Sequence, residues 1–62
     1  MMSRAEYLAS AIKNAVFYNE VLDECQELCE LAGLEKEWSE SDGETFERVL
    51  YKAADKLGVC IS

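Results

Sequence analysis

The chain has 62 residues, half of them hydrophobic, with 13 acidic and 6 basic side chains, no histidine and a formal net charge of −7. So short a chain makes one domain at most, spanning 1–62, and it buries only about 60% of its unfolded surface, which points toward self-association as a source of further burial. The lack of histidine removes the usual general base, every Ser–His or Cys–His nucleophile pair and the commonest zinc ligand, and no apolar run approaches the ~20 residues of a membrane span.

A first helix is expected to begin at about Arg4, because Ser3 followed three residues later by Glu6 has the form of a capping box. The apolar residues near the N-terminus are interrupted by Glu6, Ser10 and Lys13, so no signal peptide is visible and the cytoplasm is the expected location. Positions 8, 11, 15, 18, 22, 25, 29 and 32 alternate spacings of three and four without slipping, the seam of a coiled coil. Gly33 then stops the pattern, with Leu34 placed as the apolar partner of the cap.

Phase continuity and the absence of glycine or proline favour one helix over 4–32, about 43 Å long at 1.5 Å per residue. The alternative is a break near Asn19, a good N-cap type, with Glu20, Asp23 and Glu24 enriching the first turn of a new helix. A single long helix would leave much of its seam uncovered unless a second chain covers it. The run Ala15-Val16-Phe17-Tyr18 points nearly all round a helix, so one partner helix cannot cover it. Either the chain folds back around these residues or a homodimer buries them.

Cys25 and Cys29 lie four apart on one helix face, where parallel Cα–Cβ vectors make a poor disulfide. They read as small buried apolar residues in a reducing cytosol. The segment between Gly33 and Ser41 has the length of an ordinary helix–helix connector. The sole tryptophan in it, Trp38, is expected to roof the core against Leu34 and Phe46; its alternative role is an exposed anchor for a partner.

The second helix is the best-signalled element. Ser41 and Glu44 form a capping box, and Phe46, Val49, Leu50, Ala53 and Leu57 share one face. Lys52 and Lys56 complement the C-terminal dipole, and Gly58 is placed for a left-handed cap with Val59 beyond it. The helix is therefore expected over 42–57. The tail Val59-Cys60-Ile61 fits either an irregular lid or a short strand.

Charge is unevenly spread. Residues 20–47 hold eleven acids against Lys36 alone, while the segments on either side are slightly basic. Phosphate contacts require Lys and Arg, so direct binding to nucleic acid or an anionic membrane is not expected. The opposite idea is a nucleic-acid-mimicking decoy whose acidic face is Glu20, Asp23, Glu24, Glu27 and Glu30. On one helix these give roughly one charge per 3 Å, about half the density of duplex DNA. The plainer reading is a solvated face opposite Val21, Leu22, Cys25, Leu28 and Cys29.

Other chemistry has little support. Gly33, Gly43 and Gly58 are too far apart for a phosphate loop, and the run Ser39 to Glu44 lacks the alternating oxygen ligands of a calcium loop. Cys25, Cys29 and Cys60 have none of the usual short zinc spacings, which leaves a cysteine-based metal or redox role as a third alternative. Carboxylate pairs such as Glu24 and Glu27 serve acid–base catalysis only inside a pocket, which so small a chain seldom encloses. No catalytic activity, metal or cofactor is expected.

Leu31-Ala32-Gly33-Leu34, Trp38, Asp42-Gly43-Glu44 with Phe46, Glu47 and Val49, then Ala53-Ala54 and Leu57-Gly58-Val59 form a pattern similar to short open reading frames of bacterial conjugative transposons and prophages. The resemblance covers roughly 28–61 and implies a bacterial, cytoplasmic accessory protein, without site residues. The sequence thus reads as an all-α miniprotein, a long N-terminal helix against a second one. Its expected role is a protein-binding accessory or regulatory factor, with Val16, Phe17, Val21 and Trp38 facing a partner.

Overall fold

The computed structural model describes residues 2–61, which contain helices and no strand. Helix α1 spans Arg4–Asn14, a 3₁₀ turn Tyr18–Val21, α2 Leu22–Leu31, α3 Glu35–Glu40 and α4 Phe46–Leu57. Helix α2 is the central element: α1 and α4 both pack on it, as do α3 and the 3₁₀ turn. The all-α class is as expected. No helix among the described residues is long and apolar enough to cross a membrane.

The single long helix does not form. Ala15 is extended, with φ −77° and ψ 144°, and so is Phe17, with φ −128° and ψ 140°. The break therefore lies at 15–17, before Asn19 rather than at it. Val16 and Phe17 are a β-branched and an aromatic residue of modest helix propensity. A helical path would also spread the four residues 15–18 round every face, whereas the extended link turns Ala15 and Tyr18 inward and leaves Val16 and Phe17 outside. The Glu20 carboxylate accepts from the Phe17 N–H at 3.2 Å and starts the new turn.

This reversal supplies the cover that the long seam was expected to draw from a second chain. Leu8, Ala9 and Ile12 of α1 meet Cys25, Leu28 and Cys29 of α2, and Leu50, Ala53 and Ala54 of α4 complete the core with Leu34 and Ile61. The tail is thus an irregular lid, its Ile61 plugging the core. Leu22, on the predicted seam, is instead 43% exposed.

The end signals act as written. Ser3 Oγ accepts from the Glu6 N–H at 3.2 Å. At Gly33 and Gly58 the backbone is left-handed, with φ 75° and 71°. The N–H groups of Leu34 and Val59 reach back to the carbonyls of Cys29 and Ala54 at 2.8 and 3.0 Å, closing both helices with the same motif.

Two local expectations are corrected. Helix α4 begins at Phe46 rather than at 42, and its N-cap residue Thr45 makes no side-chain cap bond; the turn before it is closed by Asp42, whose Oδ1 accepts from the N–H groups of Glu44 and Thr45 at 2.9 and 3.0 Å. Thr45 Oγ1 returns the favour by accepting from the Asp42 N–H at 3.0 Å. Ser41 is used differently, its hydroxyl donating to the Trp38 carbonyl at 2.6 Å. The supposed connector also contains a short helix, α3, which places Leu34 and Trp38 four residues apart on the face turned to the core.

Candidate docking surface

Among the described residues seven large apolar side chains are exposed, Met2, Tyr7, Val16, Phe17, Leu22, Leu31 and Tyr51, and the two most exposed are neighbours. Val16 is 81% and Phe17 65% exposed, both on the extended link between α1 and the 3₁₀ turn. The link is held at both ends: the Ala15 N–H donates to the Ile12 carbonyl at 3.2 Å, and Glu20 holds the Phe17 N–H. Behind it, the Tyr18 and Tyr51 hydroxyls lie 3.1 Å apart and their rings meet edge to face, tying the 3₁₀ turn to α4. The hydroxyl contact, then burial, pushes the Tyr18 phenol up to about 12.

Trp38 is half-buried and stands edge to face on Phe46, with ring centroids 5.8 Å apart. The expected roofing role is therefore met against Phe46, and the same indole still shows a face to solvent. It lines an open hollow of about 370 Å³ together with Asn19, Leu22, Ser41, Asp42, Gly43 and Phe46. A second hollow of about 410 Å³ shares Asn19, Gly43 and Phe46 with the first and continues to Phe17, Tyr18 and Glu47. A third shares Phe17, Tyr18 and Glu47 with the second and ends at Val16, Lys13 and Ile61. The three adjoin through these shared lining residues between the 3₁₀ turn and the start of α4, and we call the row, from Trp38 to Val16, a trough. Comparison of the chain with family models, with curated proteins and with solved structures finds no match.

Of the four residues expected to face a partner, the structure brings Val16, Phe17 and Trp38 to this trough. Val21 is half-buried and packs against the core instead. Leu22, Phe46 and Gly43 join the surface, although the sequence marks the first two as seam and stripe residues. Gly43 is open ground: a Cβ placed there meets nothing within 4 Å.

The five acids expected to form one row do not. Glu20 lies on the 3₁₀ turn and the other four on α2. Glu27 is gripped by the Arg4 guanidinium, whose Nε and Nη2 both donate to its carboxylate. That hydrogen bonding holds the Glu27 carboxyl below its ordinary value. Glu24 is half-buried, and Asp23 and Glu30 are exposed.

The two helix cysteines lie fully within the core. Burial, reinforced by neighbouring negative charge, pushes the Cys25 thiol up to about 12 and the Cys29 thiol up to about 11. Both are therefore far from the thiolate form that nucleophilic or metal chemistry requires. Among the described residues no three acids and cysteines gather as a metal site.

Proposed function

We propose that this chain is a non-catalytic protein-binding accessory or regulatory factor that engages its partner through the trough between Val16 and Trp38. The observation that carries the reading is the exposure of Val16 and Phe17 on a backbone pinned at both ends, in a chain that seals eleven other apolar residues to 5% or less. Exposing large apolar side chains from an ordered link has a cost in water, which a partner's surface removes. The hollows are open rather than enclosed, which suits protruding side chains of another protein better than a small substrate.

Location and origin belong to the same proposal: a cytoplasmic bacterial protein of the mobile-element kind that its sequence resembles. Two core cysteines serving as small apolar residues suit a reducing compartment. The excess of acid argues against nucleic acid or an anionic membrane as the direct partner. The decoy alternative is weakened, since Glu27 is already neutralised by Arg4 and Glu20 departs from the row.

The test compares affinity capture from the native host by the wild-type chain and by a Val16→Ser, Phe17→Ser double variant. Both positions are exposed, so the variant keeps its helical circular dichroism. Proteins held by the wild type and lost by the variant support the reading; identical captures overturn it. Sedimentation at micromolar concentration decides whether a homodimer uses the patch, through a species of twice the 7.0 kDa chain mass.

A further inference from the structure

We propose that the occupant of the trough is a cationic amphipathic segment of another protein, its apolar side chains seated on Phe17, Leu22, Trp38 and Phe46 and its Lys and Arg facing the acidic rim. The inference rests on the docking reading above and adds the chemistry of the partner. Its floor is aromatic and aliphatic, which is the surface an amphipathic helix lays its apolar face into. Its rim is predominantly acidic, with Lys13 at the Val16 end and Arg48 next to Glu47 in the chain as the cations nearest it. Asp42 and Glu47 line it directly. Glu20, Asp23 and Glu44 adjoin the lining residues Asn19, Leu22 and Gly43 in the chain, and all three are exposed.

Cations are scarce along the trough. Lys36 is the only base between 20 and 47, and it lies two positions from Trp38 on α3, which turns it to the other side of that helix. Lys13 stands at the far end, beyond Val16. Asp42 closes the turn before α4, and the hydrogen bonds it accepts from Glu44 and Thr45 keep its carboxyl below the ordinary value, so it stays charged at neutral pH. Charge also decides against a second copy of this chain, because apposing two such rims brings like charges together in molecules that each carry −7.

Trp38 makes the proposal directly readable, as the sole tryptophan in the chain and part of the trough wall. The probes are three tryptophan-free synthetic peptides about 16 residues long, long enough to form a helix on binding. One carries a leucine face and a lysine face. The second replaces every lysine by glutamate, and the third scrambles the first so that no apolar face remains. The lysine peptide is expected to shift Trp38 emission to the blue, with the glutamate and scrambled peptides at least about tenfold weaker.

Raising salt from about 50 to 200 mM weakens the lysine peptide several-fold without abolishing it, since part of the binding is apolar. Two variants sharpen the result. Gly43→Tyr puts a bulky ring at a lining position where a Cβ meets nothing within 4 Å, and it is expected to cut binding about tenfold while the helical spectrum is kept. Glu44→Lys with Glu47→Lys reverses the preference toward the glutamate peptide.

Equal binding of the lysine and glutamate peptides, with Gly43→Tyr still blocking both, overturns the cationic partner and leaves the docking reading standing. Absence of any Trp38 shift overturns the proposal, while the capture comparison decides the docking reading by itself. A Trp38 shift that follows protein concentration without peptide assigns the trough to a second copy and likewise overturns the proposal.

Discussion

Tyr18 and Tyr51, 33 positions apart in the chain, place their hydroxyls 3.1 Å from each other and so fasten the 3₁₀ turn to α4. The clasp sits behind the exposed link and fixes where Phe17 emerges. It also leaves a spectroscopic mark, because Tyr18 is pushed up to about 12, chiefly by the hydroxyl contact. The folded phenol has the higher pKa, so its contribution to stability is complete below the ordinary value near 10 and is lost as pH rises from there through about 12. Tyr51→Phe is expected to lower stability by about 0.5–1 kcal/mol. The remaining Tyr18 phenolate, followed by its ultraviolet absorbance, should then appear at lower pH than in the wild type.

The turn that leads into α4 offers a second test, because two adjacent residues compete to close it. Asp42 takes two backbone N–H groups, while Ser41 points its hydroxyl at the Trp38 carbonyl. Asp42→Ala should lower the melting temperature by a few degrees, and Ser41→Ala by less. A larger loss for Ser41→Ala would return the cap to the position first expected from the sequence.

That competition shows what the sequence does and does not reveal. Ser41 with Glu44 and Asp42 with Thr45 are overlapping signals one residue apart, and only geometry chooses between them. The left-handed glycines were legible because few other residues fit there, and the buried positions of α2 and α4 followed from their periodicity. The break was half legible: Asn19 and the acids after it signalled one nearby, but the apolar phase resumes on the far side, so its place at 15–17 did not show. Six-residue α3 was hidden for a different reason: Trp38 is its one apolar residue, with Leu34 at the N-cap before it, so it has no period to detect. The trough was least legible of all. It depends on a fold that brings Gly43 and Asn19, 24 positions apart, to line the same hollow.

Acid titration separates the Arg4–Glu27 pair from the general charge of the chain. The Glu27 carboxyl is held below its ordinary value by the Arg4 guanidinium, so its contribution is present above about pH 4 and is lost as pH falls through the depressed value. Neutralising the other acids relieves repulsion over the same range, which makes the single curve ambiguous. The difference between wild type and Glu27→Gln is not ambiguous. The variant should melt lower than wild type at neutral pH, and the gap should close as pH falls through the depressed value. A gap that stays constant with pH would show that the carboxylate charge contributes nothing.

Glycine substitutions test the backbone directly. Gly58 has a φ of 71°, where a Cβ is strained, so Gly58→Ala should destabilise by about 1–2 kcal/mol. Gly43 has no such conformation and open space about it, so Gly43→Ala should stabilise by about 0.4–1 kcal/mol through the unfolded chain. Opposite signs in urea titration are the expected result.

Core and surface leucines should differ more sharply than anything else in the chain. Leu28 is fully buried at the centre of α2, whereas Leu22 is 43% exposed at its start, beside the trough. Leu28→Ala should cost about 2–5 kcal/mol through lost burial and the cavity it leaves. For 62 residues the whole stability is roughly 3–9 kcal/mol, so this variant should be largely unfolded or close to it at room temperature. Leu22→Ala should leave the melting curve nearly unchanged and weaken only the binding of the lysine peptide. Cysteine reactivity gives an independent readout of the same contrast: Cys25 and Cys29 should resist thiol reagents in the wild type and react promptly once Leu28→Ala opens the core around them.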